Sequence, residues 1–134
     1  MKTLKITIAV LFFSAIFTAC KKEKAAPTAQ ESAITGTWEG KYGYGTNDSQ
    51  FFYSFKVKPD GTMQEIDAFG DIAGEGTWTL NGNTFTATHH FLSPYNKIFI
   101  STATFDPATK KLVNGSWKYS DKPANEGKWF MNKK

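Results

Sequence analysis

The sequence contains a single cysteine, Cys20, in 134 residues. An intrachain disulfide is therefore excluded, and any folded domain must be held together by packing. Charge of one sign is also scarce. The formal excess of +4 sits mostly near the N-terminus, and residues 32–134 carry 11 Lys against 10 acidic residues. So even a balance lacks the basic footprint of a nucleic-acid binder. The stretch Ile6–Phe17, almost wholly apolar, falls well short of the roughly 20 residues that span a bilayer. No window repeats apolar residues at i, i+3, i+4, i+7 over three turns, so helix should be scarce. Gly-x-Ser-x-Gly, a P-loop and a Gly-x-Gly-x-x-Gly before a helix are all missing. The length leaves no room for a separate cofactor-binding domain. No cofactor, no enzymatic activity and no nucleic-acid partner are expected.

What is present begins with an address. Met1-Lys2-Thr3-Leu4-Lys5, the apolar stretch and Thr18-Ala19 form a basic segment, an apolar segment and a small-residue cleavage site. Cys20 follows directly. This arrangement resembles a bacterial lipoprotein signal, with Phe17 where such signals usually have Leu. The resemblance implies removal of residues 1–19 and lipidation of Cys20. Two or three acyl chains at about 0.8 kcal/mol per buried CH₂ would hold the protein at a membrane. Lys21 rather than Asp after the cysteine implies the outer membrane, by analogy with enterobacterial lipoproteins. Residues 20–33 then read as the lipidated Cys and a flexible tether, polar and Ala-rich.

From Ile34 to Lys134, seven turn clusters, from Thr46-Asn47-Asp48-Ser49 to Asp121–Asn125, leave eight short runs rich in Thr, Val, Ile and aromatics. Several runs alternate. Trp38, Tyr42 and Tyr44 share one face; so do Phe51, Tyr53, Phe55 and Val57. Trp78 and Leu80 form a third set, Val113, Trp117 and Tyr119 a fourth, Trp129 and Met131 a fifth. One buried face and one wet face indicate an antiparallel sheet. The runs 62–69 and 98–105 do not alternate and read as edge or two-sided strands. The expected fold is an all-β, eight-stranded up-and-down meander barrel over residues 34–134, with an open sandwich as the alternative. Closure removes the exposed edges that invite aggregation.

All four tryptophans close a Gly-x-Trp triplet: Gly36-Thr37-Trp38, Gly76-Thr77-Trp78, Gly115-Ser116-Trp117 and Gly127-Lys128-Trp129. The first three are 40 and 39 residues apart, a spacing that suggests propeller blades, but the length supplies fewer than three. In a small barrel, Gly permits close strand approach and the indole two residues on plugs the interior. A Gly-x-Trp near the first strand is a hallmark of calycin barrels. Lys58-Pro59-Asp60-Gly61-Thr62, followed by Gly76-Thr77-Trp78-Thr79-Leu80-Asn81-Gly82-Asn83, resembles the lipocalin-like domains of small bacterial lipoproteins. The resemblance implies a lipocalin-like barrel with a small pocket, because no length remains for a C-terminal helix.

Two adjacent histidines, His89 and His90, point to opposite faces of a strand and cannot clamp one metal. The register of Phe85, Ala87 and Phe91 turns His89 inward, as a structural or a ligand-binding side chain. Glu65 and Asp67 share a face as paired carboxylates, which a solvated strand face explains more simply. The aromatic excess is the remaining signal, since Leu80, Leu92 and Leu112 are the only leucines after the signal segment. The candidate ligand-binding set is Trp38, Tyr42, Tyr44, Tyr53, Trp78, His89, Trp117, Tyr119 and Trp129. These residues either line a cavity for a small apolar or aromatic ligand or simply fill the barrel. In the second case the protein would work as an envelope interaction module, or as an inhibitor of a secreted hydrolase, through loops 42–50, 91–97 and 120–125. Expected partners are the membrane through Cys20, a small hydrophobic ligand, and an envelope protein in the alternative.

Overall fold

The structure, a computed structural model, describes residues 26–122, 124 and 126–134. The expected signal segment, Cys20, the first part of the expected tether, Pro123 and Asn125 lie outside the described residues. Eight strands follow one short helix: α1 (Ala29–Ile34), β1 (Gly36–Tyr42), β2 (Phe51–Val57), β3 (Thr62–Ile66), β4 (Ile72–Asn81), β5 (Thr84–Phe91), β6 (Ile98–Asp106), β7 (Lys111–Tyr119) and β8 (Glu126–Lys133). Each strand pairs antiparallel with the next, and β1 also pairs with β8, so the sheet closes as an up-and-down barrel. The open sandwich is thereby excluded.

The expected tether gives way to structure five residues before the barrel's predicted start at Ile34. Thr28 caps α1 in a reciprocal box: its hydroxyl accepts from the Glu31 N–H, and the Glu31 carboxylate accepts from the Thr28 N–H. Such a short helix is not stable alone. It is held because Ile34 is fully buried, because Trp38 Nε1 donates to Ile34 O at 2.7 Å, and because Gln30 Nε2 donates to Asn83 Oδ1 at 3.0 Å. Residues 29–33 therefore belong to the domain. α1 closes the barrel end at which β1 begins.

Inside, the alternating runs pack as expected from their period. Trp38, Tyr53, Phe55, Val57, Trp78, Trp117, Trp129 and Met131 are buried, with Phe85, Phe105 and Leu112 completing the core. Three expectations need correction. Val113 faces outward and Leu112 takes its place inside, because β7 carries one extra residue between Leu112 and Gly115. Asn114 absorbs the kink at φ 52°, a conformation Asn tolerates well. The two irregular runs hold β3 and β6, each paired on both sides and each with a register irregularity in one pairing. Their alternation is hidden because β3 turns Met63 and Glu65 inward, and β6 turns Ser101, Ala103 and Phe105 inward, while Ile98 and Ile100 face outward. Finally, Glu65 is not on a solvated face but is 8% exposed within the barrel. Asp67 lies beyond β3, where its carboxylate accepts from the Phe69 and Asp71 N–H groups, so the two carboxylates do not pair.

Candidate functional site

The barrel's two ends differ. At the closed end, Ile34, Trp38, Phe105, Leu112 and Met131 are fully buried together, and Trp38 meets Phe105 edge-on at 5.9 Å. A middle layer follows, where the Trp129 indole contacts Phe55 at 5.6 Å and Phe85 at 6.4 Å. Beyond it, at the end where β1 finishes and β2 begins, the filling stops. A cavity of about 400 Å³ opens there, a size typical of small-molecule sites.

Residues from six strands and two loops line this mouth. β1 and the loop after it supply Tyr42 and Tyr44, β2 supplies Tyr53 and β3 supplies Glu65. Phe91 comes from the end of β5, Tyr95 and Lys97 from the loop after it, Phe99 from β6, and Trp117 and Tyr119 from β7. The rings form a continuous wall: Tyr42 lies 5.3 Å from Tyr53 and 6.1 Å from Trp117, while Phe99 lies 4.7 Å from Tyr119. Five of the nine residues expected to bind ligand therefore come together here. Tyr44 does so from beyond the end of β1, 48% exposed at the rim, rather than from an inward strand position. Trp38, Trp78 and Trp129 do not line the mouth. Trp78 borders a second hollow of about 500 Å³ at the closed end, between the start of α1 and the β2–β3 turn.

The tryptophans' polar tips are already engaged. Trp38 Nε1 donates to Ile34 O, Trp78 Nε1 to Lys58 O at 2.8 Å, Trp117 Nε1 to Gly43 O at 3.0 Å and Trp129 Nε1 to Ser116 O at 2.9 Å. Each buried indole thus satisfies its single donor on backbone. Polar capacity in the mouth belongs instead to tyrosine hydroxyls, Lys97 and Glu65. Tyr53 Oη shares a hydrogen bond with Ser101 Oγ at 3.1 Å. Burial, reinforced by the negative field of Glu65, holds the Tyr53 phenol well above its ordinary pKa. Burial and a hydrogen bond with Tyr44 raise Tyr42 in the same direction. Lys97 Nζ pairs with Asp121 Oδ2 at 3.1 Å on the rim.

Beneath the mouth, His89 is 1% exposed, which agrees with its inward register; His90 is exposed on the outer face. His89 Nε2 lies 2.8 Å from Glu65 Oε2, although neither ring nitrogen completes a well-aligned hydrogen bond. The contact crosses an intervening strand. Glu65 sits opposite Gly74 and His89 opposite Gly76, both on β4, so no β4 side chain stands between them. A Cβ on Gly74 would lie 3.5 Å from Glu65 Cβ and from His89 Cδ2, which puts the space above this glycine in use. The inward pair Gly74 and Gly76 was the sequence signal for the meeting. Among the described residues, no group of three or more His, Cys, Asp or Glu is arranged to hold a metal. Comparison of the chain with family models, curated proteins and solved structures gives no match.

Proposed function

We propose that the protein is a membrane-anchored, lipocalin-like lipoprotein whose barrel mouth holds a small apolar or aromatic ligand. The observation that carries this reading is the cavity of about 400 Å³, walled by aromatic side chains, at the barrel's open end. Aromatic walls with a few polar tips are what a small-molecule site offers. Trp117 supplies wall and no polar reach, because its N–H group is bonded to the Gly43 carbonyl. Anchoring at Cys20 rests on the N-terminal sequence. The chain joins the barrel at its closed end, so the mouth lies at the opposite end from the tether.

The reading is tested by native mass spectrometry of protein extracted under mild conditions, together with tryptophan-fluorescence titration. The expected result is a co-purifying mass, or saturable quenching. Both should be lost when Tyr42→Ala and Tyr119→Ala remove two walls. An unliganded mass and an unsaturable response to small aromatic probes would count against it.

A second reading, an envelope interaction module or hydrolase inhibitor working through its loops, draws on the apolar rim. Phe69 and Tyr95 are 92% and 70% exposed on loops at the mouth end. Capture of an envelope protein that is lost on Phe69→Ser and Tyr95→Ser would favour it. Capture that survives both changes would exclude this rim.

A further inference from the structure

The mouth combines two features that pull in opposite directions unless a cation joins them. One is an aromatic cage; the other is a carboxylate set in its floor. Glu65 is 8% exposed, and an ionised carboxylate withdrawn this far from water loses most of its hydration, a cost that pairing with a cation offsets. Its nearest cationic candidate, His89, brings Nε2 to 2.8 Å from Glu65 Oε2 but completes no aligned hydrogen bond, its ring stacked on Phe99 with centroids 5.4 Å apart. Lys97 is turned to Asp121 at the rim, with both side chains about half exposed. Glu65 itself lines the cavity, so carboxylate oxygen is presented to whatever enters. The surrounding ring faces carry negative quadrupole potential of the same sign.

We infer that the mouth selects ligands bearing a protonated amine, with the ammonium at the Glu65 carboxylate and the body of the ligand among Tyr42, Tyr53, Phe99 and Trp117. This deepens the ligand-binding reading above and rests on it. A neutral ligand would complete the desolvation of Glu65 and give nothing back. An anion would add repulsion. An ammonium supplies a charge-assisted hydrogen bond and cation–π contact with the walls, both strengthened where water is excluded. The two β4 glycines matter here, because they let Glu65 lie across the floor.

The test is calorimetric titration of the full folded domain with phenethylamine, phenethyl alcohol and hydrocinnamate, which share a ring and a short arm. The amine should bind at least about tenfold tighter than the alcohol, and the acid weakest. In Glu65→Gln, checked for fold by near-ultraviolet dichroism, the amine should fall to within about threefold of the alcohol. Equal or tighter binding of the alcohol or the acid by the unaltered protein overturns the amine preference and leaves the ligand-binding reading standing. An amine preference that persists in folded Glu65→Gln overturns the assignment to Glu65. No saturable binding of any of the three overturns the inference, while native mass spectrometry judges the broader reading independently.

Discussion

The indole of Trp129 on β8 lies against Gly115, its cross-strand partner on β7, so closely that a Cβ there would sit 2.5 Å from the ring. The relationship is reciprocal. Trp117, two residues after Gly115, lies over Gly127, two residues before Trp129, and a Cβ on Gly127 would come 2.6 Å from the Trp117 Nε1. Two Gly-x-Trp triplets thus interlock head to tail, each glycine making room for the other strand's indole. That is why these two triplets have their spacing.

Gly115→Ala should therefore destabilise the barrel by at least about 2 kcal/mol, since neither the indole nor the Trp129 backbone behind it can yield cheaply. Lys118→Ala, on the exposed face of the same strand, should stay within about 0.5 kcal/mol. Urea unfolding followed by tryptophan emission measures both. Equal midpoints for the two variants would show that the interlock does not carry the packing assigned to it.

The domain should also depend on its first helix. Ile34→Ala removes a fully buried side chain from the closed end and should cost about 2–4 kcal/mol. Thr28→Ala, which opens the capping box, should cost about 0.5–2 kcal/mol. If residues up to 33 were only a tether, thermal unfolding would leave the Thr28→Ala variant unchanged.

Alkaline pH gives a third check. Burial favours the neutral phenols of Tyr42 and Tyr53, so their folded pKa values stand above the unfolded value of about 10. This contribution is fully present below pH 10 and is lost as pH rises toward the folded values. Stability should fall above about pH 10, with less of a fall in Tyr53→Phe. Tyrosinate absorbance from these two residues should appear together with loss of near-ultraviolet dichroism. Complete tyrosine ionisation in a barrel with unchanged dichroism would contradict their burial.

The membrane address is checked by fractionation. Cys20→Ser should move the protein from the membrane to the soluble fraction, while the unaltered protein carries added acyl mass on its first mature residue. A soluble, unacylated unaltered protein would remove the anchor from the account.

The strand count, the closed meander and the inward indoles were legible in the sequence because Trp38, Phe55, Trp78 and Trp129 obey a period of two with lysines and threonines between them. The site was half legible. Tyr42, Tyr53, Trp117 and Tyr119 follow the same period, but Phe99 was hidden between outward Ile98 and Ile100. Glu65 was misread because a charged residue at an inward position looks like the wet face until its neighbours are known. Tyr95 and Lys97 come from the path of a loop, which periodicity does not encode. The extra residue in β7 is visible only once both neighbouring strands fix its register. α1 was missed because one buried isoleucine and a capping box leave almost no pattern over six residues.

The central claim is that small molecules enter the aromatic mouth and nowhere else in the barrel. Heteronuclear NMR resolves the four indole N–H groups, and titration with phenethylamine, phenethyl alcohol and hydrocinnamate reads each one separately. The account predicts a saturable shift of the Trp117 signal, with Trp38 and Trp78 at the closed end unmoved. Unchanged Trp117 with all three probes, or a shift confined to Trp78, would contradict it.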